Sequence, residues 1–300
     1  MFNTMLWKNF SLFVALLVIT CSQFGFAGDI SALLTEQMRS TPPMEKIPVI
    51  IYMRDQIDLN EMEVYLRSNV LPGERVPVEF RYKTIATALQ QVADQTQPAI
   101  LNRIQTFSTD GTIDNVQKFW IRNLICLNAT PNVIEQIALW DEVETVYLDG
   151  ILKRDMPLNG HEGVAKAGSE PGLRAINAHR LWELGITGAG RLVMSIDTGV
   201  NGNNQAYNTR WRGTLPGILP TWAWFDPSAH TVFPSDGDGH GTHTMGTMCG
   251  RYDAVHDTLG VAPDAFWIAS NSLIGGSPHT SRSIASFQWA ANPDCNLNTM

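Results

Sequence analysis

The sequence predicts an α/β chain built in two parts: a small α+β domain, then strands alternating with helices around a parallel sheet. Three observations predict this. From 46 to 150, short apolar runs alternate with segments of helical spacing. From 150 to 174, Gly and Pro accumulate without an apolar period. After 175, the strand candidates are near-continuous apolar runs, as in parallel sheets covered on both faces.

Composition narrows the class. The 300 residues are 44% hydrophobic and 17% charged, with a formal net charge of −8. That is ample material for a packed core and carries no signature of disorder. The acidic balance argues against a nucleic-acid partner, which favours a basic face. No Lys/Arg run is long enough to dock on an anionic membrane surface.

The elements follow in order. Lys8, the apolar run Phe10 to Thr20 and the small-residue segment Gly25-Phe26-Ala27 make residues 1–27 a secretory signal peptide, implying a secreted, extracellular product. The run is shorter than the roughly 20 residues of a spanning helix. Later segments also fall short of that length, so no membrane association is expected after signal removal. Residues 28–45, polar with Thr41-Pro42-Pro43, read as a linker. Ile47 to Met53 is a strand, Leu59 to Leu66 a helix, and Val78 to Phe107 a long helix that Pro98 should kink. Phe119 to Leu127 is a strand, Pro131 opens a helix with Val133, Ile134, Ile137 and Trp140 inward, and Val143 to Leu148 is a strand. Residues 46–150 are therefore one α+β domain with helices on one face of a sheet.

Residues 151–174 form a linker and processing region, exposed as protease-sensitive segments are. A helix from Ala175 to Leu184 follows, anchored by Leu181, Trp182 and Leu184 and ended by Gly185. Arg191 to Asp197 and Phe266 to Ser270 are buried strands, and Ser283 to Ala291 is a helix. Beyond the signal, Cys126, Cys249 and Cys295 remain; an odd number gives no disulfide framework, and a Cys249–Cys295 bridge stays open.

The chemistry concentrates in Asp236-Gly-Asp-Gly-His-Gly-Thr-His-Thr-Met-Gly-Thr247. A zinc helix needs His-Glu-x-x-His, but Gly241 follows His240. A calcium loop needs Glu where Thr247 stands. A metal-binding module on 236–243 is thus the weaker reading. Acyl transfer instead needs an imidazole base and a buried carboxylate to hold its tautomer. Asp197 ends a parallel strand, where such sheets place their crevice. His240 sits at a helix start between Gly239 and Gly241, which let backbone approach closely.

Ser-Ile-Asp197-Thr-Gly-Val and Gly-His240-Gly-Thr-His-Thr-Met-Gly-Thr, 43 residues apart from Asp to His, resemble the Asp and His blocks of the subtilisin-like (S8) serine peptidases. Gly260-Val-Ala-Pro-Asp-Ala265 resembles the segment after them. The family's block usually has Val-Ala where this chain has Thr244-Met245. The resemblance implies Asp197 as the orienting carboxylate and His240 as the general base. Gly199, Gly239, Gly241, Thr242 and His243 are then supporting motif residues, with His243 structural. It implies a subtilisin-like parallel sheet with helices on both faces over 175–300. The region 46–150 resembles the ferredoxin-like, inhibitor-type propeptide of bacillopeptidase F-like members. The implied partners are protein or peptide substrates and the chain's own propeptide. No cofactor is implied, and structural calcium stays open.

The family's nucleophile, a Gly-Thr-Ser block, is absent from the chain, as is a matching oxyanion Asn. Asn271 to Gly276 resembles a substrate-binding segment but comes too soon after Ala265. The sequence-based expectation is a chain truncated within the catalytic domain and inactive alone. The alternative from another class is a non-catalytic propeptide-type inhibitor or binding protein. His161, His179, His230, His256 and His279 lack motif context and are assigned to surface or packing. Trp211, Trp222, Trp224 and Phe225 are assigned to loop packing.

Overall fold

The structure, a computed structural model, describes residues 27–152, 168–274 and 278–297. The expected signal at 1–26 and the stretch 153–167 of the processing region lie outside the described residues. The chain divides at Gly150 into two units, each described by itself.

The first unit is a five-stranded sheet of order β1-β5-β2-β4-β3. Its strands are β1 (Asp29–Ile30), β2 (Ile47–Met53), β3 (Ile113–Phe119), β4 (Leu124–Ala129) and β5 (Val143–Leu148). Its helices are α1 (Ala32–Ser40), α2 (Leu59–Ser68), α3 (Val78–Ser108) and α4 (Pro131–Ala138). β2 is central and antiparallel to both neighbours, with Ile51 level with Ile125 and Val146. Period-two alternation puts Val49, Ile51 and Met53 on one face. There they pack with Leu34 of α1, Ile100 and Ile104 of α3, and Ile134 and Ile137 of α4. Fully burying each such side chain contributes roughly 1.5–3 kcal/mol of transfer free energy.

The 31-residue α3 runs through Pro98 without a break and serves two partners. Its C-terminal part covers the sheet, while Ala88 packs against Met62 and Leu66 of α2. Between them, the buried Gln97 amide donates to Phe119 O (2.8 Å) and Asn123 Oδ1 (2.9 Å), tying the helix to the β3–β4 turn.

Two expectations for this unit need correction. Residues 28–45 are not a linker: they form β1 and α1. α1 buries Leu34 alone, with Ile30 and Met38 packed beside it, so its apolar stripe is too thin to read in a polar segment. The expected strand Phe119 to Leu127 is a hairpin of β3 and β4. β3 is an edge strand whose five central residues are exposed, so its polar sequence hides it.

The second unit holds α5 (Pro171–Ala175), α6 (Ala178–Glu183), β6 (Leu192–Asp197), β7 (Trp224–Phe225), α7 (His240–Cys249), β8 (Arg251–Tyr252), β9 (Asp257–Thr258), β10 (Phe266–Asn271) and α8 (Thr280–Ala291). β6, β10 and β7 form a parallel sheet in that order, while β8 and β9 make a separate antiparallel pair. β6 and β10 are in register from Leu192↔Phe266 to Asp197↔Asn271. Alternation gives the two faces different helices. Asp197, level with Asn271, meets α7, while Ser270 and Ser272 point to Ser286 of α8. Met245 and Cys249 of α7 pack with Trp224, Trp267 and Ala269. Trp211 is buried in the same cluster, consistent with packing.

The expected helix Ala175 to Leu184 is instead α5 and α6, separated by Asn177 at φ +61°. Asn tolerates that left-handed geometry. The predicted anchors Leu181 and Leu184 are exposed; Leu173 and Ala178 are the buried side chains. Cys126, Cys249 and Cys295 are all free thiols.

Candidate active site

Asp197 is the last residue of β6, fixed there by its own backbone. Its carbonyl accepts the amides of Ser272 (2.9 Å) and Leu273 (3.0 Å), which leave the end of β10. Its carboxylate points to the first residue of α7. His240 Nδ1 lies 2.7 Å from Asp197 Oδ1. The Thr198 amide donates to the same oxygen at 2.7 Å, and the Thr244 hydroxyl lies 3.2 Å from Oδ2. An ionised carboxylate only accepts, so Nδ1 is the donor in this contact, and in a neutral imidazole that leaves the lone pair on Nε2. The Asp197 side chain is 11% exposed and that of His240 25%. The acid is shielded from water while the base remains reachable.

Close approach of strand and helix makes this contact. A Cβ on Gly241 would stand 2.0 Å from Gly199 O and 3.0 Å from Asp197 Cβ. A Cβ on Gly199, at φ +110°, would stand 2.1 Å from Ser235 O. Both positions therefore require glycine for space, and Gly199 also for its backbone angle. Gly239, at φ +97°, is the N-cap of α7 and turns the chain into the helix.

Asp236 braces the turn. Its Oδ1 accepts from the Thr198 hydroxyl (3.1 Å) and the amides of Asp238 (3.0 Å) and Gly239 (2.9 Å). Its Oδ2 accepts from the Thr242 amide (2.9 Å) and hydroxyl (2.6 Å). Burial alone would raise the Asp236 pKa. The donors from Thr242, Gly239 and Asp238 outweigh it and hold the carboxyl below its ordinary value. The Thr198 hydroxyl in turn accepts the Gly241 amide at 2.9 Å, so Asp236, Thr198 and Gly241 link strand end to helix start.

Of the motif residues, Asp197, His240, Gly199, Gly239, Gly241 and Thr242 converge in this network, with Thr242 also accepting the Asn201 amide at 2.9 Å. His243 does not: it is exposed, and its ring makes no hydrogen bond among the described residues. Nothing in the sequence marks Thr198 or Thr244 as part of this network, and residue type alone points Asp236 only toward a metal. The Asp-x-x-Gly spacing of an Asx turn was the available signal for Asp236. Ser270, Ser272 and Ser286 are buried on the α8 face, where their hydroxyls bond to one another. They are turned away from the imidazole.

No protein-family model matches the chain. Bacillopeptidase F of Bacillus subtilis (strain 168) is 32% identical over 196 residues, covering 62% of this chain and 14% of that protein. The minor extracellular protease Vpr of the same organism is 26% identical over 250 residues, covering 78% and 30%. Subtilisin Savinase of Lederbergia lenta is 30% identical over 122 residues, 40% of each chain. The chain thus spans well under half the length of these curated relatives. Among solved structures, fervidolysin from Fervidobacterium pennivorans, a keratinolytic enzyme related to subtilisin, matches at a TM-score of 0.46 and 15% identity, covering 89% of this chain and 36% of that one.

Proposed function

We propose that this chain, a relative of the subtilisin-like (S8) serine peptidases, belongs to the precursor of a secreted serine endopeptidase. Asp197 is its orienting carboxylate and His240 its general base. The observation that carries the reading is the 2.7 Å contact between His240 Nδ1 and Asp197 Oδ1 at the C-terminal end of a parallel strand. In that arrangement Nε2 takes the proton of a serine hydroxyl as its oxygen attacks the scissile carbonyl. The imidazolium so formed is stabilised by Asp197 and then gives its proton to the leaving amine. These 300 residues contain no Gly-Thr-Ser, so the scheme needs a hydroxyl and an oxyanion donor beyond the pair described here. The 300-residue chain alone is expected to leave peptides uncut.

Residues 1–27 would direct export and 46–150 would act as an inhibitor-type propeptide, released by cleavage between Asp149 and Gly172. The substrates are proteins or peptides, and the scheme uses no cofactor. The test is made in the product of the parent gene, assayed on an unfolded protein substrate. Asp197→Asn and His240→Ala should each lower kcat by about 10⁴-fold or more. Near-full activity in either variant would sink the reading. A second reading, a non-catalytic inhibitor acting in trans, is favoured by the self-contained core of the first unit. It predicts inhibition of an active subtilisin-like enzyme by residues 28–150 at micromolar concentration, and fails if the enzyme is unaffected.

A further inference from the structure

Asp197 Oδ1 has two donors, the Thr198 amide and His240 Nδ1. Oδ2 is approached by the Thr244 hydroxyl at 3.2 Å. That hydroxyl has a single proton and a second acceptor in reach, Gly241 O at 3.0 Å. The competition is unequal. The helical pattern already offers the Gly241 carbonyl the amide of Met245. A bond to an ionised carboxylate is roughly twice as strong as one to a neutral carbonyl. The proton therefore belongs to Oδ2.

The sequence gives the contact its significance. Thr244 stands where the resembling block usually has Val, a side chain of the same shape with no proton to give. A Val in this place would fill the same space without the contact, so the hydroxyl is not required for packing. A carboxylate held only at Oδ1 can rock about its Cβ–Cγ bond; held at both oxygens, its plane is fixed relative to the imidazole.

We propose that Thr244 is a positioning residue for the Asp197–His240 pair: its hydroxyl holds Oδ2, sets the carboxylate plane and draws off part of the negative charge facing Nδ1. The proposal rests on the peptidase reading and deepens it. Thr244 and His240 both donate to one carboxylate and share its charge, so removing the Thr244 bond leaves more charge on Oδ1 and strengthens the bond from His240.

The experiment is proton NMR of the 300-residue chain with ¹⁵N-labelled histidine, reading the ring Nδ1–H of His240. That resonance is identified by its loss in Asp197→Asn. Thr244→Val should move it downfield, while Thr244→Ser, which restores the hydroxyl, should leave it at the wild-type position. Thermal unfolding of the same proteins separates positioning from packing, because a purely structural Thr244 would alter the melting temperature without moving the resonance. If the Val chain fails to fold, Thr244→Ala is read in its place, with the same expected shift. An unchanged or upfield resonance in the hydroxyl-free variant overturns the role of Thr244 and leaves the dyad standing. A wild-type chain with no Asp197-dependent resonance overturns the peptidase reading and this proposal with it.

Discussion

Asp236→Asn replaces one oxygen of the turn brace with an NH₂ group and removes the charge. The five donors around the carboxylate leave no harmless orientation for the amide. With NH₂ in the Oδ2 position, it confronts the Thr242 amide, donor against donor. The reverse orientation confronts the amides of Asp238 and Gly239. A half-buried donor left unpaired costs about 1–3 kcal/mol, and bonds that lose an ionised acceptor weaken as well. We expect a loss of about 2–4 kcal/mol from the second unit, large against a domain stability of about 5–15 kcal/mol. The assay is urea unfolding followed by tryptophan fluorescence, since Trp211, Trp224 and Trp267 all lie in this unit's core. The sign of the pH dependence follows from the lowered pKa. A depressed carboxyl contributes stability above its unfolded value and loses it as pH falls through the folded one. The gap between wild type and variant should therefore be full at pH 7 and narrow below about pH 4. Equal midpoints at pH 7, or a gap that widens on acidification, would refute the brace.

Two further outcomes test other parts of the structure. Gly241→Ala drives a methyl group to 2.0 Å from Gly199 O, so the helix start must retreat from the strand. Overpacking of this kind typically costs about 1–3 kcal/mol, and here it should also abolish the Asp197-dependent His240 resonance. A variant that keeps both stability and resonance would contradict the close approach. Alkylation by iodoacetamide at pH 8, mapped by mass spectrometry, should modify the exposed Cys295 first. Burial pushes the Cys249 thiol up to about 11 and that of Cys126 higher still, so both should label only on unfolding. Equal labelling in the native chain would count against the packing of both units.

How much of this was legible depended on how each element makes its contacts. β2, α4 and β10 announce themselves because their own residues supply the buried surface: Ile51, Ile134 and Trp267 are all fully buried. β6 is apolar in sequence, but its Leu192 is exposed and its buried residues are Ser195 and Asp197. β3 and α1 do not, because one is an exposed edge and the other docks by Leu34 alone. The break at Asn177 is a single left-handed residue within a helical pattern, where local propensity cannot place it. In the site, the meeting of Asp197 and His240 was readable because an acid and an imidazole stand out by residue type. Thr198, Asp236 and Thr244 were not, because their part depends on hydroxyl and carboxylate oxygens meeting across the fold. Thr244 is the sharpest case: in the sequence it is merely a substitution for Val, and only the 3.2 Å approach to Oδ2 gives it chemical meaning.

The way the pair is held also bears on what the 300-residue chain can report. Among the described residues, the groups that orient Asp197 and His240 lie between Asp197 and Leu273, in β6, the turn at Asp236, α7 and the end of β10. The bonds are short-range in space and mutually dependent: Asp236 holds Thr198, Thr198 holds Gly241, and Gly241 brings His240 to the carboxylate. On the proposed reading, an imidazole oriented by such a network holds its tautomer before substrate arrives, which is the condition for proton transfer without reorganisation. The orientation of the imidazole and the presence of a nucleophile are thus separable properties. The first is read from the His240 ring proton, and the second from peptide hydrolysis.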